Sequence, residues 1–135
     1  MRLSAPAELA SSSSLRSARG VVVLTRDDGS VICERCFVAD RMLPRMKGLL
    51  GKRELVAGEG LLIQPAPSIH TFFMRFPIDV VFLSKNGKVM RVAANVGAWR
   101  MRSCRRAFAV LELAAGEAER RGITVGDQVD RAKGT

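Results

Sequence analysis

The chain has 135 residues, with 22 Lys and Arg against 13 Asp and Glu, which gives a formal net charge of +9 at pH 7. This length predicts a single domain, and an apolar content of 47% is enough to form a buried core. No apolar stretch approaches the roughly 20 residues that cross a bilayer as a helix, so the sequence excludes a membrane-spanning helix. Three cysteines without a secretory signal segment predict a protein of the reducing cytoplasm.

The beginning of the chain differs in composition from the rest. Residues 1–19 contain four consecutive serines and three arginines but no continuous apolar segment. We expect these residues to form a disordered leader because such a composition buries little apolar surface. The predicted domain then covers residues 20–131, and residues 132–135 are a short tail.

Two early segments have the composition of a β-hairpin. Residues 21–25 are mostly β-branched, and the Asp-Asp-Gly sequence at 27–29 is typical of a turn. The chain then returns through a predicted strand at 31–33. Farther along, apolar residues in 39–52 recur at three-and-four spacing, which predicts a short amphipathic helix.

The middle of the chain contains the strongest local signal. A brief strand is predicted at 61–63, between loops rich in Gly and Pro. Residues 80–85 and 88–92 then have strand composition and are joined by Asn86-Gly87, the sequence most typical of a two-residue hairpin turn. We therefore expect a β-hairpin over residues 80–92.

The last third of the chain adds strands and one helix. Residues 108–113 predict a strand, residues 114–121 predict a helix that ends at Gly122, and Val129 lies in a final strand. The predicted fold class is therefore β-rich α+β, in one small domain. Because closure removes exposed strand edges, we expect a partly open or closed β-barrel with two short helices.

Asp79 is an acid within an otherwise apolar run that continues to Leu83. Its carboxylate is predicted to be buried, and a buried carboxylate needs partners that offset its desolvation. Two roles stay open. Asp79 either accepts hydrogen bonds from backbone amides near Pro77 and fixes a bend, or it faces a ligand.

His70 is the single histidine of the chain and precedes Asp79 by nine residues. An imidazole titrates near neutral pH, so His70 is a candidate general base or metal ligand as well as an ordinary structural residue. Strand alternation places His70 and Met74 on one face of this segment, and Thr71 and Arg75 on the other. One hypothesis is therefore an enzyme that uses His70 and Asp79 as acid and base.

The spacing of Cys33 and Cys36 is that of half a zinc site. His70 and Cys104 are the residues that would complete a set of four ligands. Because a complete structural zinc site usually shows two local pairs, structural cysteines are the alternative.

Residues 84–106 carry seven cations and no acid. Such a surface attracts phosphate-bearing partners, and Trp99 lies within it as a stacking residue. The sequence therefore predicts either a solvated basic face or nonspecific binding to a polyanion, a nucleic acid or another phosphate-bearing partner.

A resemblance to a known family extends over most of the chain. The segment 68–83 reads SIHTFFMRFPIDVVFL, and RMKGLLGK at 45–52, GEGLLI at 58–63, AVLELAAG at 109–116 and GITVGD at 122–127 accompany it. In order and composition, these segments resemble the DUF192 family, also called UPF0127. The resemblance implies a single compact β-rich domain of bacteria and archaea, without an assigned activity.

Together these features predict a barrel that binds a small ligand or a protein through residues 70–79. His70 and Arg75 would bind an anionic or polar group, Asp79 would orient them, and Trp99 would contribute an apolar wall. The predicted ligand-binding residues are His70, Thr71, Met74, Arg75, Asp79 and Trp99. Acid–base catalysis by His70 and Asp79 and polyanion binding by residues 84–106 are the alternatives, with zinc at Cys33 and Cys36 as the candidate cofactor.

Overall fold

The computed structural model describes residues 18–39, 55–66, 68–70, 76–97 and 100–132. Within these residues the chain forms nine strands and one short helix. The elements are β1 (Ala18–Arg26), β2 (Val31–Ala39), β3 (Glu59–Ile63), β4 (Ser68–His70), β5 (Ile78–Leu83), β6 (Val89–Val96), β7 (Met101–Ser103), β8 (Ala109–Ala114), α1 (Glu117–Arg120) and β9 (Val129–Arg131).

Seven of these strands form one mixed sheet. Its order is β6-β5-β8-β3-β2-β1-β9, and β4 pairs with β7 in a separate antiparallel ribbon. The β2–β3 pair is parallel, and the other neighbours in the sheet are antiparallel. Strands β3, β5 and β8 lie at the centre and are buried along almost their whole length.

The predicted β5–β6 hairpin is confirmed. The amide of Ser84 donates to the carbonyl of Lys88 at 2.9 Å, and the amide of Gly87 donates to the carbonyl of Ser84 at 2.9 Å. Gly87 has a φ of +90°, and a Cβ atom at this position would collide with the carbonyl oxygen of Val129. The turn therefore requires glycine both for its backbone conformation and for its contact with β9.

The two ends of the sheet meet where β6 begins. The amide of Val89 donates to the carbonyl of Asp127 at 2.8 Å, and the carbonyl of Val89 accepts from Gly126 at 2.9 Å. The amide of Val129 also donates to the carbonyl of Gly87 at 2.8 Å. These bonds draw β9 towards β6, so the sheet curls into a half-barrel, as the predicted fold class requires.

The sheet separates two apolar cores. We call the first the inner cluster, because Val89 and Val129 from opposite ends of the sheet belong to it together with Leu111 of the central strand. The outer cluster lies on the other face and includes Leu61 and Val80. Each central strand thus contributes alternate residues to the two cores, which explains why its apolar run is nearly continuous.

Strand β7 lies on the outer side of the sheet. Arg91 of β6 donates a hydrogen bond to the carbonyl of Ser103 at 2.6 Å, and its guanidinium lies 6.0 Å from the centroid of the Phe82 ring. Phe82 belongs to the outer cluster, and Cys104, the residue after β7, packs against the same cluster. The β4–β7 ribbon is therefore attached to the outer face through β7.

Some predicted boundaries differ from those of the structure. Strand β2 continues to Ala39, well beyond the predicted 31–33, because its second half pairs with β3. The helix predicted at 114–121 shortens to α1, since Ala114 still belongs to β8 and Gly116 adopts a φ of +94° before the helix begins. Apart from Ala39, the helix predicted at 39–52 lies outside the described residues.

Candidate functional site

Asp79 holds the first turn of α1 in place. This side chain is fully buried on β5. One carboxylate oxygen, Oδ2, accepts hydrogen bonds from the amides of Gly116 at 3.0 Å and Ala118 at 2.9 Å, and Oδ1 accepts one from Asn95 at 2.8 Å. The first amides of a helix have no partner within the helix, and Gly116 has no side chain to cap them. Asp79 caps these amides from strand β5, which is distant from α1 in sequence.

As one of the two predicted roles requires, Asp79 accepts hydrogen bonds from backbone amides. The amides are not the predicted ones. We expected amides near Pro77, whereas the bonded amides belong to β6 and to the start of α1. The reason is that alternation along β5 turns Asp79 towards the α1 side of the sheet. Acid–base chemistry by Asp79 would have to compete with these three bonds, so the geometry favours an anchoring role.

A second set of contacts fixes α1 over one end of the half-barrel. Glu117 accepts hydrogen bonds from Arg120 and from Arg121, the latter at 2.9 Å. Burial raises the pKa of Glu117, but the hydrogen bonds from both arginines outweigh it and hold that pKa below its ordinary value. Arg121 also donates to the carbonyl of Val31 at 3.1 Å and to Glu34 at 2.8 Å. Helix α1 therefore closes the end of the half-barrel at which β2 begins.

Glu112 is a buried acid that the sequence argument did not select. It lies in the middle of β8 and is completely shielded from solvent. Neither of its carboxylate oxygens has a hydrogen-bond partner in the described parts of the chain. Burial raises the pKa of Glu112 from 4.5 to about 8, so the folded protein holds this carboxyl in its neutral form at pH 7.

The register places Glu112 on the outer face. Its neighbours across the sheet are Leu61 on β3 and Val80 on β5, and both belong to the outer cluster. Val110, two residues earlier on the same face of β8, belongs to that cluster as well. Native proteins rarely leave a buried polar group without a partner, so Glu112 is an exception among the described residues.

The signal that identifies Glu112 was present in the sequence. Glu112 interrupts an apolar run in a predicted strand, just as Asp79 does. The two positions differ in their surroundings, and those depend on strand pairing that the sequence does not reveal.

Cys33 and Cys36 point into the same core because of a β-bulge. Val22 pairs with Cys36 and Leu24 pairs with Cys33, so two steps along β1 face three steps along β2. Both cysteines are fully buried in the inner cluster. A hydrogen bond with Cys33 and burial both raise the pKa of the Cys36 thiol.

The zinc hypothesis stays a prediction. Cys104 packs against the outer cluster and not with Cys33 and Cys36, so the structure does not bring these three cysteines together. Among the described residues, no group of three or more His, Cys, Asp or Glu could hold a metal ion. The side chain of His70 lies outside that description.

Of the other predicted site residues, the structure describes only the backbone of His70. The backbone of His70 ends β4 and pairs with Met101 of β7. Thr71, Met74, Arg75 and Trp99 lie outside the described residues, so their predicted roles are not tested.

Comparison with protein families gives a clear result. The model of the DUF192 family, described as "Uncharacterized ACR", matches residues 22–131. The chain belongs to the DUF192 family. No curated protein matches this DUF192 chain.

Solved structures share this DUF192 fold. A protein of unknown function from Novosphingobium aromaticivorans is 29% identical, with a TM-score of 0.67 over 82% of this chain and 83% of its own. A protein from Sinorhizobium meliloti that carries a provisional name as a transcription regulator is 23% identical, with a TM-score of 0.64 over 83% of this chain and 92% of its own. At that identity the second likeness shows the fold alone.

The described part of this DUF192 chain contains no helix that is long and apolar enough to cross a membrane. Its basic stretch is exposed: the cations of residues 84–106 that face solvent are Lys85, Lys88, Arg91, Arg100, Arg105 and Arg106.

Proposed function

We propose that this DUF192 domain binds a small molecule on the outer face of its sheet. The observation that carries the proposal is Glu112, whose buried carboxyl has no hydrogen-bond partner among the described residues. Leaving such a group unpaired costs about 1–3 kcal/mol, and that cost is offset when a ligand provides the missing bond. A fully shielded group suits a small ligand better than the surface of a protein partner.

The chemistry of Glu112 indicates the kind of ligand group that it would bind. With its pKa near 8, the carboxyl is neutral at pH 7 and has one O–H donor as well as acceptor capacity. An amide or a similar uncharged group offers the complementary acceptor and donor. Leu61 and Val80 on either side would contact apolar parts of the ligand.

The proposed site also includes the segment after β4. Strand β7, the partner of β4, is attached to the outer face through Arg91 and Cys104, and Glu112 lies on that face. The residues that we propose to line the site with Glu112 are His70, Thr71, Met74, Arg75 and Trp99. Asp79 enters the proposal as the anchor of α1 and β6.

A thermal-shift screen of the full chain with a library of small uncharged amides tests this function. Compounds that bind should raise the melting temperature of the wild type and have no effect on Glu112→Leu, which cannot form the hydrogen bond. Glu112→Gln keeps a donor and an acceptor of similar shape and should retain part of the response. Compounds that stabilise the wild type and Glu112→Leu equally would contradict the proposed site.

A second candidate function is polyanion binding by residues 84–106, favoured by the six exposed cations of that stretch. Retention on heparin should fall steeply with salt, because such binding releases counterions. Arg105→Gln should lower the salt slope by about one. Arg120→Gln, at an exposed position on α1 and outside this stretch, should leave the slope unchanged, and an equal effect of both variants would contradict this candidate.

A further inference from the structure

The end of the half-barrel opposite α1 contains a cavity of about 180 Å³. Strands β3 and β5 end there, β8 begins there, and the β5–β6 turn forms part of its edge. Helix α1 closes the other end through its bond to Asp79 and through the bond from Arg121, the residue after the helix, to Val31. We call this cavity the mouth of the half-barrel.

The floor of the mouth is apolar and belongs to the inner cluster. Leu24, Leu62 and Ala109 line it, and each is buried to at least 95%. Phe108 forms part of the wall and packs against the same cluster. A ligand that enters the mouth would therefore place an apolar group against the open end of the core.

The rim of the mouth is polar and carries a net positive charge. Its charged members are Lys85, Arg131 and Asp130, which is two cations against one acid. The ammonium of Lys85 lies 6.0 Å from the centroid of the Phe108 ring, at the boundary between wall and solvent. Within the described residues, neither Lys85 nor Arg131 takes part in an ion pair with an acid.

From this combination of floor and rim, we infer that the mouth is a second binding site, which takes a small carboxylate with a short apolar tail. The tail contacts Leu24, Leu62 and Ala109, and the carboxylate lies between Lys85 and Arg131. The small size of the cavity favours a ligand with a short chain. Sites in the mouths of β-barrels commonly combine an apolar interior with a few polar groups at the edge. This site is on the inner side of the sheet and is independent of Glu112.

Hexanoate is a suitable probe, and hexan-1-ol is its uncharged counterpart. Titration of hexanoate into the isotopically labelled full chain should shift the amide resonances of Gly87, Ala109 and Arg131, at the mouth, more than those of Ala118 in α1. Hexan-1-ol should bind at least threefold more weakly, because it lacks the charge that the rim attracts. Equal binding of the two probes, or resonance shifts spread over both ends of the half-barrel, would overturn the inference.

Charge variants on one hairpin provide a matched comparison. Lys85→Gln should weaken hexanoate binding by about two- to fivefold, as expected for the loss of one exposed charge contact. Lys88→Gln removes an exposed lysine of the same turn that does not line the cavity, and it should leave the affinity unchanged. Both residues are exposed, so neither variant threatens folding. An equal effect of the two variants would mean that hexanoate responds only to the overall charge of the protein, and it would overturn the proposed site.

Discussion

Asp79 and Glu112 lie on adjacent central strands and project from opposite faces of the sheet, because Glu112 pairs with Val80, the residue that follows Asp79. Both acids are fully buried. Asp79 accepts three backbone hydrogen bonds, whereas Glu112 has no partner in the described structure. The described fold therefore satisfies the hydrogen-bonding capacity of Asp79, and it leaves that of Glu112 unsatisfied.

Replacement of Asp79 should destabilise the fold. Asp79→Ala leaves the amides of Asn95, Gly116 and Ala118 without their acceptor, and the amide of Ala118 is buried. We expect a loss of about 1–3 kcal/mol in the free energy of unfolding. Urea denaturation followed by circular dichroism measures this loss. Asp27→Ala, at an exposed position in the β1–β2 turn, is the control and should change stability by less than about 0.5 kcal/mol. An unchanged midpoint for Asp79→Ala would exclude the anchoring role.

The stability of the protein should depend on pH through Glu112. In the unfolded chain this carboxyl ionises near pH 4.5, whereas in the folded protein its pKa is about 8. Between these values the folded state holds a proton that the unfolded state has released. The free energy of unfolding should therefore fall as the pH rises through this window, by up to about 1.4 kcal/mol per pH unit.

Denaturation at several pH values between 5 and 8 measures this slope. Glu112→Gln cannot titrate and should show a flatter profile than the wild type. Glu119→Gln removes an exposed acid of α1 and should keep the wild-type profile. Parallel profiles for the wild type and Glu112→Gln would mean that the pKa of Glu112 is not raised in the folded protein.

Gly60 should not tolerate a side chain. An added Cβ would lie 2.8 Å from the Cys33 sulfur, 3.0 Å from Leu113 Cδ2 and 3.1 Å from the carbonyl oxygen of Glu112. We expect Gly60→Ala to cost about 1–3 kcal/mol through overpacking. In a double-mutant cycle, Cys33→Ala should recover part of this cost, because it removes the closest atom.

Gly97→Ala is the control for that experiment, since no atom of the described residues lies within 4 Å of a Cβ at this position. A loss for Gly97→Ala as large as that for Gly60→Ala would show that the close contact is not the cause.

The three thiols should differ in reactivity. Cys33 and Cys36 are fully buried, whereas Cys104 is half-buried. The raised pKa of Cys36 also lowers its thiolate fraction, and the thiolate is the reactive form. Ellman's reagent should therefore label one thiol rapidly in the native protein, and Cys104→Ser should abolish that phase.

The same assay also tests the zinc hypothesis. Rapid labelling of Cys33 and Cys36 without a chelator would contradict their burial. Labelling that appears only when EDTA is added would instead indicate that a bound metal protects them.

Local sequence was a good guide where the structure depends on neighbouring residues. The Asn86-Gly87 hairpin is confirmed because its turn chemistry is complete within a few residues. The length of β2 and the brevity of α1 depend instead on distant partners, namely β3 and Asp79. The periodicity of apolar residues does not specify such pairing. The strand and helix boundaries predicted from periodicity therefore differ from those of the structure.

In the candidate site, too, local sequence predicts some features and distant contacts determine the others. Burial of Asp79 follows from its apolar neighbours, but its amide donors are 16 to 39 residues away in sequence. Glu112 has an equally apolar context, and only the register of β8 assigns it to the outer face, where no described residue bonds to its carboxyl. Composition identifies buried acids, whereas their function depends on the tertiary environment.

The joint between β9 and β6 also has a consequence for self-association. An unpaired strand edge is a template on which another chain can add, and proteins protect such edges by covering them. The short segment from Gly126 to Ala132 covers two at once, since it bonds to β6 through Val89 and to β1 through Val23. Val129 of this segment is buried in the inner cluster, and the backbone bonds on either side of it reduce the free strand edge on which a neighbouring molecule could extend the sheet.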